Sequence, residues 1–422
     1  MAAATLALLP NSANSAAQGQ DFSLDAGVLY YSEGSDGVQV IKPAVRIFGT
    51  LQDDDEFNLL LTTDAITGAT PNGAVVQQSS QTFTSPSGGS YNAAAGNQPK
   101  EYGFKDYRIS VKGSYSFAVS SRNRLLINAY TSKELDYTSV GAGAGLLHDF
   151  NDKNSTLNVE LNAYREQQEP RDGGIPVGLT PMLASVQNSG PNENDAKNVY
   201  DFNLGLTQVL TRDALVKINL NLNNSTGYLS NPYQILSVLD ANGDVTTDGL
   251  ENVDANALPY VFEKRPDDRL RSSLFGSLVH NFDGDVAHFS YRYYWDDWDV
   301  RSNTFDVRYR FRLSKKQYVS PHIRYYQQDG AEFYRPHLNQ GIDVDASGQV
   351  LLAEASADYR LSSFSSYVLG LGYGMQFAST DEMVVRLEYL TEQFDRQNGV
   401  RTDQQLDDLT ALSVQMSYSF YW

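Results

Sequence analysis

The stretch ALSVQMSYSFYW, residues 411–422, decides the fold. Leu412, Val414, Met416, Tyr418, Phe420 and Trp422 take every second position, with Ala411, Ser413, Gln415, Ser417 and Ser419 between them. An extended chain turns successive side chains to opposite faces, so this is a strand with one greasy face and one small, polar face. A half-buried strand of a soluble sheet has the same pattern. Which reading applies depends on how the pattern is repeated and connected.

It is repeated throughout the chain. Ile109, Val111, Tyr115 and Phe117 alternate with Arg108, Ser110, Lys112 and Ser114. Leu157, Val159 and Leu161 alternate with Asn158, Glu160 and Asn162, and Val216, Ile218, Leu220 and Leu222 with Lys217, Asn219, Asn221 and Asn223. Phe305, Val307, Tyr309 and Phe311 alternate with Asp306, Arg308, Arg310 and Arg312. About sixteen such segments can be marked, an even number as bacterial membrane barrels have.

The connections alternate in length. Short polar turns fall at 53–56, 120–123, 151–154, 211–214, 282–285, 313–316 and 379–382, and the largest intervening stretches cover roughly 66–103, 168–197, 226–267 and 330–362. A sandwich or a propeller does not sort its loops this way. Short turns at one end and long loops at the other describe an all-β, transmembrane antiparallel barrel with periplasmic turns, extracellular loops and both termini periplasmic. The greasy stripe then faces lipid. A last strand ending on Tyr418, Phe420 and Trp422 has the form of a signal read by outer-membrane assembly machinery. Aromatics near strand ends, such as Tyr30 with Tyr31 and Tyr293 to Trp295, suit the interfacial girdles.

Composition narrows the function. The chain of 422 residues carries 32 Lys and Arg against 51 Asp and Glu, a net charge of −19, which repels nucleic acid. Without Cys it has no disulfide, thiolate chemistry or Cys-ligated metal. No run reaches the roughly 18 apolar residues of a spanning helix. MAAATLALLP followed by NSANSAA reads as the apolar core and cleavage region of a secretory signal, so residues 1–17 are expected to be a signal remnant and 18–422 the barrel.

With the greasy stripe outside, the other stripe lines the lumen. It holds a dense basic wall, Arg292, Arg308, Arg310, Arg312 and Arg324, with fewer acids, among them Asp64, Asp201, Asp306 and Glu388. Two roles are open: an anion-attracting surface, or charge ladders that brace the wall or anchor an inward loop. Most of the surplus acid is left for the loops.

Other motifs are weaker. His288 and Ser290 form a His-x-Ser pair without an identifiable orienting group, so no catalytic residue is assigned and the chain is expected not to be an enzyme. DVDASGQVLLAE (343–354) places Asp343, Asp345, Ser347 and Glu354 at calcium-loop spacing, although a hairpin turn needs the same residues. WDDWD (295–299) reads as a girdle aromatic pair around a solvated turn, and the Gly/Ser/Gln-rich stretch 68–98 as a mobile external loop. Asn231-Pro232 in GYLSNPYQ (227–234) is a turn initiator where a strand opens into a loop. No cofactor is implied.

TTDAITGATPNGA (62–74), FNLGLTQVLTRDALVKINLNLNNSTGYLSNPYQ (202–234), SYRYYWDDWDVRSNTFDVRY (290–309) and IRYYQQDGAEFYRP (323–336) together resemble the outer-membrane family known as domain of unknown function 3570. The resemblance runs over nearly the whole chain beyond residue 17. It implies an outer-membrane barrel and brings no catalytic residues. It also implies an association with a small lipoprotein, a thioredoxin-like protein and a flavin-attaching enzyme, hence an extracytoplasmic redox or export setting. The expected function is a pore or a gated, plugged passage for a solute or partner. The alternative is a non-conducting scaffold for a periplasmic lipoprotein or surface component, with a hydrolase a distant third. Expected partners are outer-membrane lipid, lipopolysaccharide, the assembly machinery and a small lipoprotein.

Overall fold

A computed structural model describes residues 22–422 except 35–36, 52–54, 69, 85–89, 98, 101–103, 171–173, 184–191, 378–380 and 398–399. The signal remnant expected at 1–17 lies outside the described residues. Sixteen strands form one closed antiparallel barrel, each paired with its neighbours in chain order. The ring closes where Phe22–Ser32 pairs with Leu409–Tyr421, Ser23 opposite Tyr421 and Ser32 opposite Leu412. Closure leaves no sheet edge. Every strand finds its backbone partners inside the wall, the condition for crossing hydrocarbon with strands.

The pleat sorts the sequence as the alternation requires. Leu161, Leu369, Ile109 and Ile323 stand on the outer wall and are each more than half exposed. In one strand after another Ser, Asn, Gly or a charged residue points inward. A soluble protein would not leave so continuous an apolar band in water. In lipid the band is at its lowest free energy, so this is a transmembrane barrel.

Strand boundaries match the alternating segments to within a few residues. The largest shifts, three residues each, are where 56–65 is expected and the strand is Glu56–Gly68, and where 198–210 is expected and the strand is Asp195–Thr211; where 299–313 is expected, the strand is Arg301–Arg312. The preceding residues form a tight turn: Asp296 N donates to Val300 O at 3.1 Å, and Asp299 takes a positive φ of 62°.

The long connections build a second, smaller structure. Strands Pro181–Leu183, Ala257–Phe262, Ile235–Leu239 and Leu338–Asn339 form a four-stranded sheet in that order, drawn from three different loops. Ile235–Leu239 is buried on both faces. Leu236, Val238, Leu250, Val261, Leu338 and Val344 make its core, and Phe83, Met182, Ile235, Tyr260 and Phe262 a second cluster beside it. Stretch 68–98 was expected to be a mobile loop, but the segment around Asn72–Val75 is packed. Ile235 N donates to Asn72 O at 2.9 Å, and Val75 N to Ser237 Oγ at 3.1 Å. The loops thus form a cap with its own hydrophobic core at the long-loop end.

WDDWD also departs from its girdle reading. Trp295 is on the outer wall and stacks on Tyr293, as an interfacial aromatic does. Trp298 is only 4% exposed and sits in the cap with Val300, Ala331, Phe333 and Leu361. Its indole N–H donates to Asp268 O at 2.9 Å, and the Arg269 guanidinium lies 4.0 Å from its ring centroid. The hairpin turns its second Trp inward because Asp296 accepts from the backbone N–H of both Trp298 and Val300 at 3.0 Å.

Candidate functional site

The site is the lumen, and register decides which residues meet there. His288, Arg308, His322, Gly370 and Glu388 are consecutive cross-strand partners and so form one row across the wall. His322 bridges two acids, with Nε2 2.8 Å from an Asp306 carboxylate oxygen and Nδ1 2.9 Å from one of Glu388. Neither ring nitrogen is left free to take a proton from a nucleophile. Arg324 donates to the same Asp306, with Nη2 at 2.8 Å.

The five arginines of the basic wall point inward but differ in circumstance. Arg324 is held by Asp306. Arg310 lies over the Tyr318 ring, 3.6 Å from its centroid, with Glu382 at 3.9 Å. Arg312 is at the short-turn rim, where its backbone N–H donates to Asp285 Oδ1 at 2.7 Å and its guanidinium to Asp283 O. Arg308 and Arg292 are different. Arg308 Nε is buried without a hydrogen bond. Among the described residues Arg292 makes no ion pair, and its guanidinium lies 5.5 Å from the centroid of Phe275. Around the first strands the charges are spent on one another: Lys42 pairs with Asp64 at 3.0 Å, Arg108 also pairs with Asp64, and Arg46 pairs with Asp25 at 2.6 Å. The wall combines bracing ladders with two guanidiniums that form no ion pair among the described residues, Arg308 having the Asp306 and Glu388 carboxylates in its neighbourhood.

A second wall is uncharged for the most part. Asn58, Ser114, Asn128, Gly143, Asn162, Asp201 and Asn223 are successive cross-strand partners on the inner face. Asn128 Nδ2 donates to Asn162 at 2.9 Å, and Asn221 Nδ2 to Asp201 at 3.0 Å and to Asn203 at 2.8 Å. The GAGAG stretch supplies the space. Gly141, Gly143 and Gly145 face the lumen, and a Cβ at Gly143 would lie 1.9 Å from Asn162 Oδ1. A recess of about 370 Å³ opens against this wall. Alternating Asn was visible in the sequence, but the belt required the register.

Above the lumen, buried charges hold two cap loops together. Arg265 Nε lies 2.7 Å from Glu263 and its Nη2 2.9 Å from Asp358, which also takes Arg360 Nη2 at 2.7 Å. Burial opposes charge on Asp358, but the Arg360 and Arg265 guanidiniums outweigh it and hold the carboxyl well below its ordinary value. Burial pushes the Glu263 carboxyl up, with Arg265 opposing. Asn231-Pro232 initiates a turn: Asn231 Oδ1 accepts from Tyr233 N at 3.0 Å. The Tyr233 hydroxyl then donates to Asp136 at 2.9 Å and ties the cap to a neighbouring strand connection. A cleft of about 330 Å³ opens through the cap between Pro71, Gly73, Tyr334, Tyr359, Gln397 and Gln405.

Of the remaining motifs, His288 and Ser290 share the lumen wall and the others lie away from it. Asp345 Oδ1 accepts from Ser347 N, Ser347 Oγ and Gln349 N at 2.7–3.0 Å, and Asp343 Oδ2 from Asn339 N at 2.7 Å. Both carboxylates form turns, and among the described residues no three His, Asp or Glu side chains converge as a metal site; Glu354 is not brought to them. His288 and Ser290 face the lumen, and among the described residues no carboxylate hydrogen-bonds to His288. Tyr418, Phe420 and Trp422 point outward. Trp422 lies 5.4 Å from Phe420 and 5.8 Å from Phe22 between ring centroids, and Tyr418 donates to Asp381 at 2.9 Å.

A family model described as a protein of unknown function, DUF3570, matches residues 1–420. No curated protein matches the sequence. Among solved structures, the siderophore receptor PirA from Acinetobacter baumannii is similar at 9% identity and a TM-score of 0.43, over 95% of this chain and 60% of that one. This chain therefore spans three fifths of that receptor. A bacterial polysaccharide outer membrane secretin is similar at 8% identity and a TM-score of 0.45, over 96% and 99% of the two chains. OccK2 (OpdF) from Pseudomonas aeruginosa is similar at 10% identity and a TM-score of 0.40, over 96% and 98%.

Proposed function

Since the chain belongs to the DUF3570 family, whose description assigns no function, its role has to be read from its own residues, and we propose that it forms a gated passage for a small polar solute across the bacterial outer membrane. The observation that carries this reading is that two lumen guanidiniums, Arg308 and Arg292, form no ion pair among the described residues, in a wall where most other charges brace one another. A bracing role needs a partner, and Arg292 is exposed to the lumen without an ion pair among the described residues, where water or a passing solute can meet it. A sixteen-strand barrel is wide enough to enclose water, and guanidiniums along its wall favour anionic groups. The cap is the gate. Both termini are periplasmic in this reading, and the capped end faces outward.

One observation favours the second reading. The cap has its own buried core and a buried ion cluster, and a scaffold that conducts little needs such a fixed closure. A small lipoprotein would then be the partner held at the short-turn end.

Single-channel recording of the refolded full chain in a planar bilayer, under a salt gradient, decides between them. A passage gives steady conductance with an anion-biased reversal potential. Silence from correctly folded protein overturns the passage and leaves the scaffold.

A further inference from the structure

Asn is a poor strand former, because its side chain competes for the backbone. Ser or Thr would wet a lumen wall at less cost. This wall nevertheless places Asn at strand-interior positions in successive strands and leaves part of its hydrogen-bonding capacity unused. Asn158 Oδ1 is buried with no partner. Lys112, on the rim of the same recess, makes no ion pair among the described residues. The recess is about 370 Å³, and Asn158, Glu160, Asp201, Asn203 and Asn219 converge on it with the Tyr164 ring beside them. The room exists because β-carbons are missing: a Cβ at Gly205 would lie 2.6 Å from Asn219 Oδ1, and one at Gly141 2.1 Å from the Tyr164 ring.

Each chemical class meets this set differently. An anion meets Glu160 and Asp201. A cation meets Lys112, and Asp201 already accepts from Asn221 and Asn223. A sugar hydroxyl donates and accepts at once, and an amide offers both roles side by side, so adjacent hydroxyls fit paired amides and a carboxylate without any net charge. An aromatic ring supplies an apolar surface for the C–H face of the sugar.

We propose that this recess is a binding subsite for a neutral, polyhydroxylated solute of mono- or disaccharide size, set in the lumen wall along the passage. The proposal rests on the passage reading for its purpose but not for its chemistry. The two are therefore measured separately.

Sucrose binding to the full-length barrel is followed by calorimetry in a detergent without a sugar headgroup. Current is then recorded in a bilayer with sucrose or with polyethylene glycol of equal hydrodynamic size. The subsite predicts saturable sucrose binding, a saturable block by sucrose alone, and affinity about tenfold weaker in Asn219→Leu. Asn219 is exposed to the lumen, so this change leaves the fold intact; heat-modifiable gel migration verifies it, and Lys112→Met gives a second readout at another edge of the recess. Absence of sucrose binding by folded protein, or binding in both variants unchanged from that of the natural chain, overturns the subsite even if the barrel conducts. Binding by a barrel that does not conduct keeps the subsite and removes the passage.

Discussion

At the scale of single residues, Asp358 sets the acid limit of the cap. Its carboxyl, 1% exposed, is held below its ordinary value by two arginines despite burial. An acid depressed in the folded state adds stability that is present above its unfolded value, about 3.9. That stability is lost as pH falls through that value toward the depressed one. Pepsin cleavage of the cap loops should therefore stay slow down to about pH 4 and rise only below it. Asp358→Asn leaves Arg265 and Arg360 short of a partner, and should loosen the cap at neutral pH by about 3–5 kcal/mol, read from hydrogen exchange in 228–267 and 329–363 with the barrel strands unchanged. Tryptophan reports the other buried feature. Trp295 and Trp422 are on the outer wall, and Trp298 is in the cap core. In single-tryptophan variants, brominated lipid should quench Trp295 and Trp422 and leave Trp298 bright. Equal quenching of all three would return Trp298 to the girdle. In the sequence the two tryptophans of WDDWD are equivalent; Asp296, by capping the turn, makes them different.

For a single strand, the decisive property is which face a side chain takes. Met416 and Ser417 are neighbours on opposite faces of the last strand, Met416 outward and Ser417 inward. Met416→Arg should cost about 2–4 kcal/mol in denaturant unfolding from vesicles, while Ser417→Ala stays close to wild type. Similar losses for both would mean that the face assignment is wrong. At this scale the sequence was legible. Period-two alternation names the strands, and turn residues bound them, because both are local. The cap was not legible. Ile235–Leu239 is too short for alternation to show, and it is buried on both faces, in part by segments a hundred or more residues distant in the chain. The His322 bridge was hidden for a related reason. His322 and Glu388 belong to different strands, both of which pair with Phe364–Gln376, so only the register brings them together.

Over the whole molecule, charge is distributed so that the lumen has a basic side and an amide side, with the acid surplus mostly elsewhere. If Arg308 and Arg292 set ion preference, the double change to Glu should move the reversal potential from anion-biased toward cation-biased under the same salt gradient. Arg324→Gln should mainly weaken the barrel, since it breaks a pair with Asp306. The seam where the ring closes has a further consequence. Phe22 and Trp422 exchange two backbone hydrogen bonds, at 3.2 and 3.1 Å, just as interior neighbours do. The ring is therefore cyclically ordered, and its starting strand is arbitrary as far as the wall is concerned. A circular permutant joining residues 22 and 422 and cut at the turn 151–154 should refold to the same barrel in detergent. In cells it would test the assembly role expected of Trp422: its ring would still stack on Phe22, but it would no longer lie at a chain end. Normal refolding with failed insertion would assign the aromatic terminus to delivery rather than to architecture.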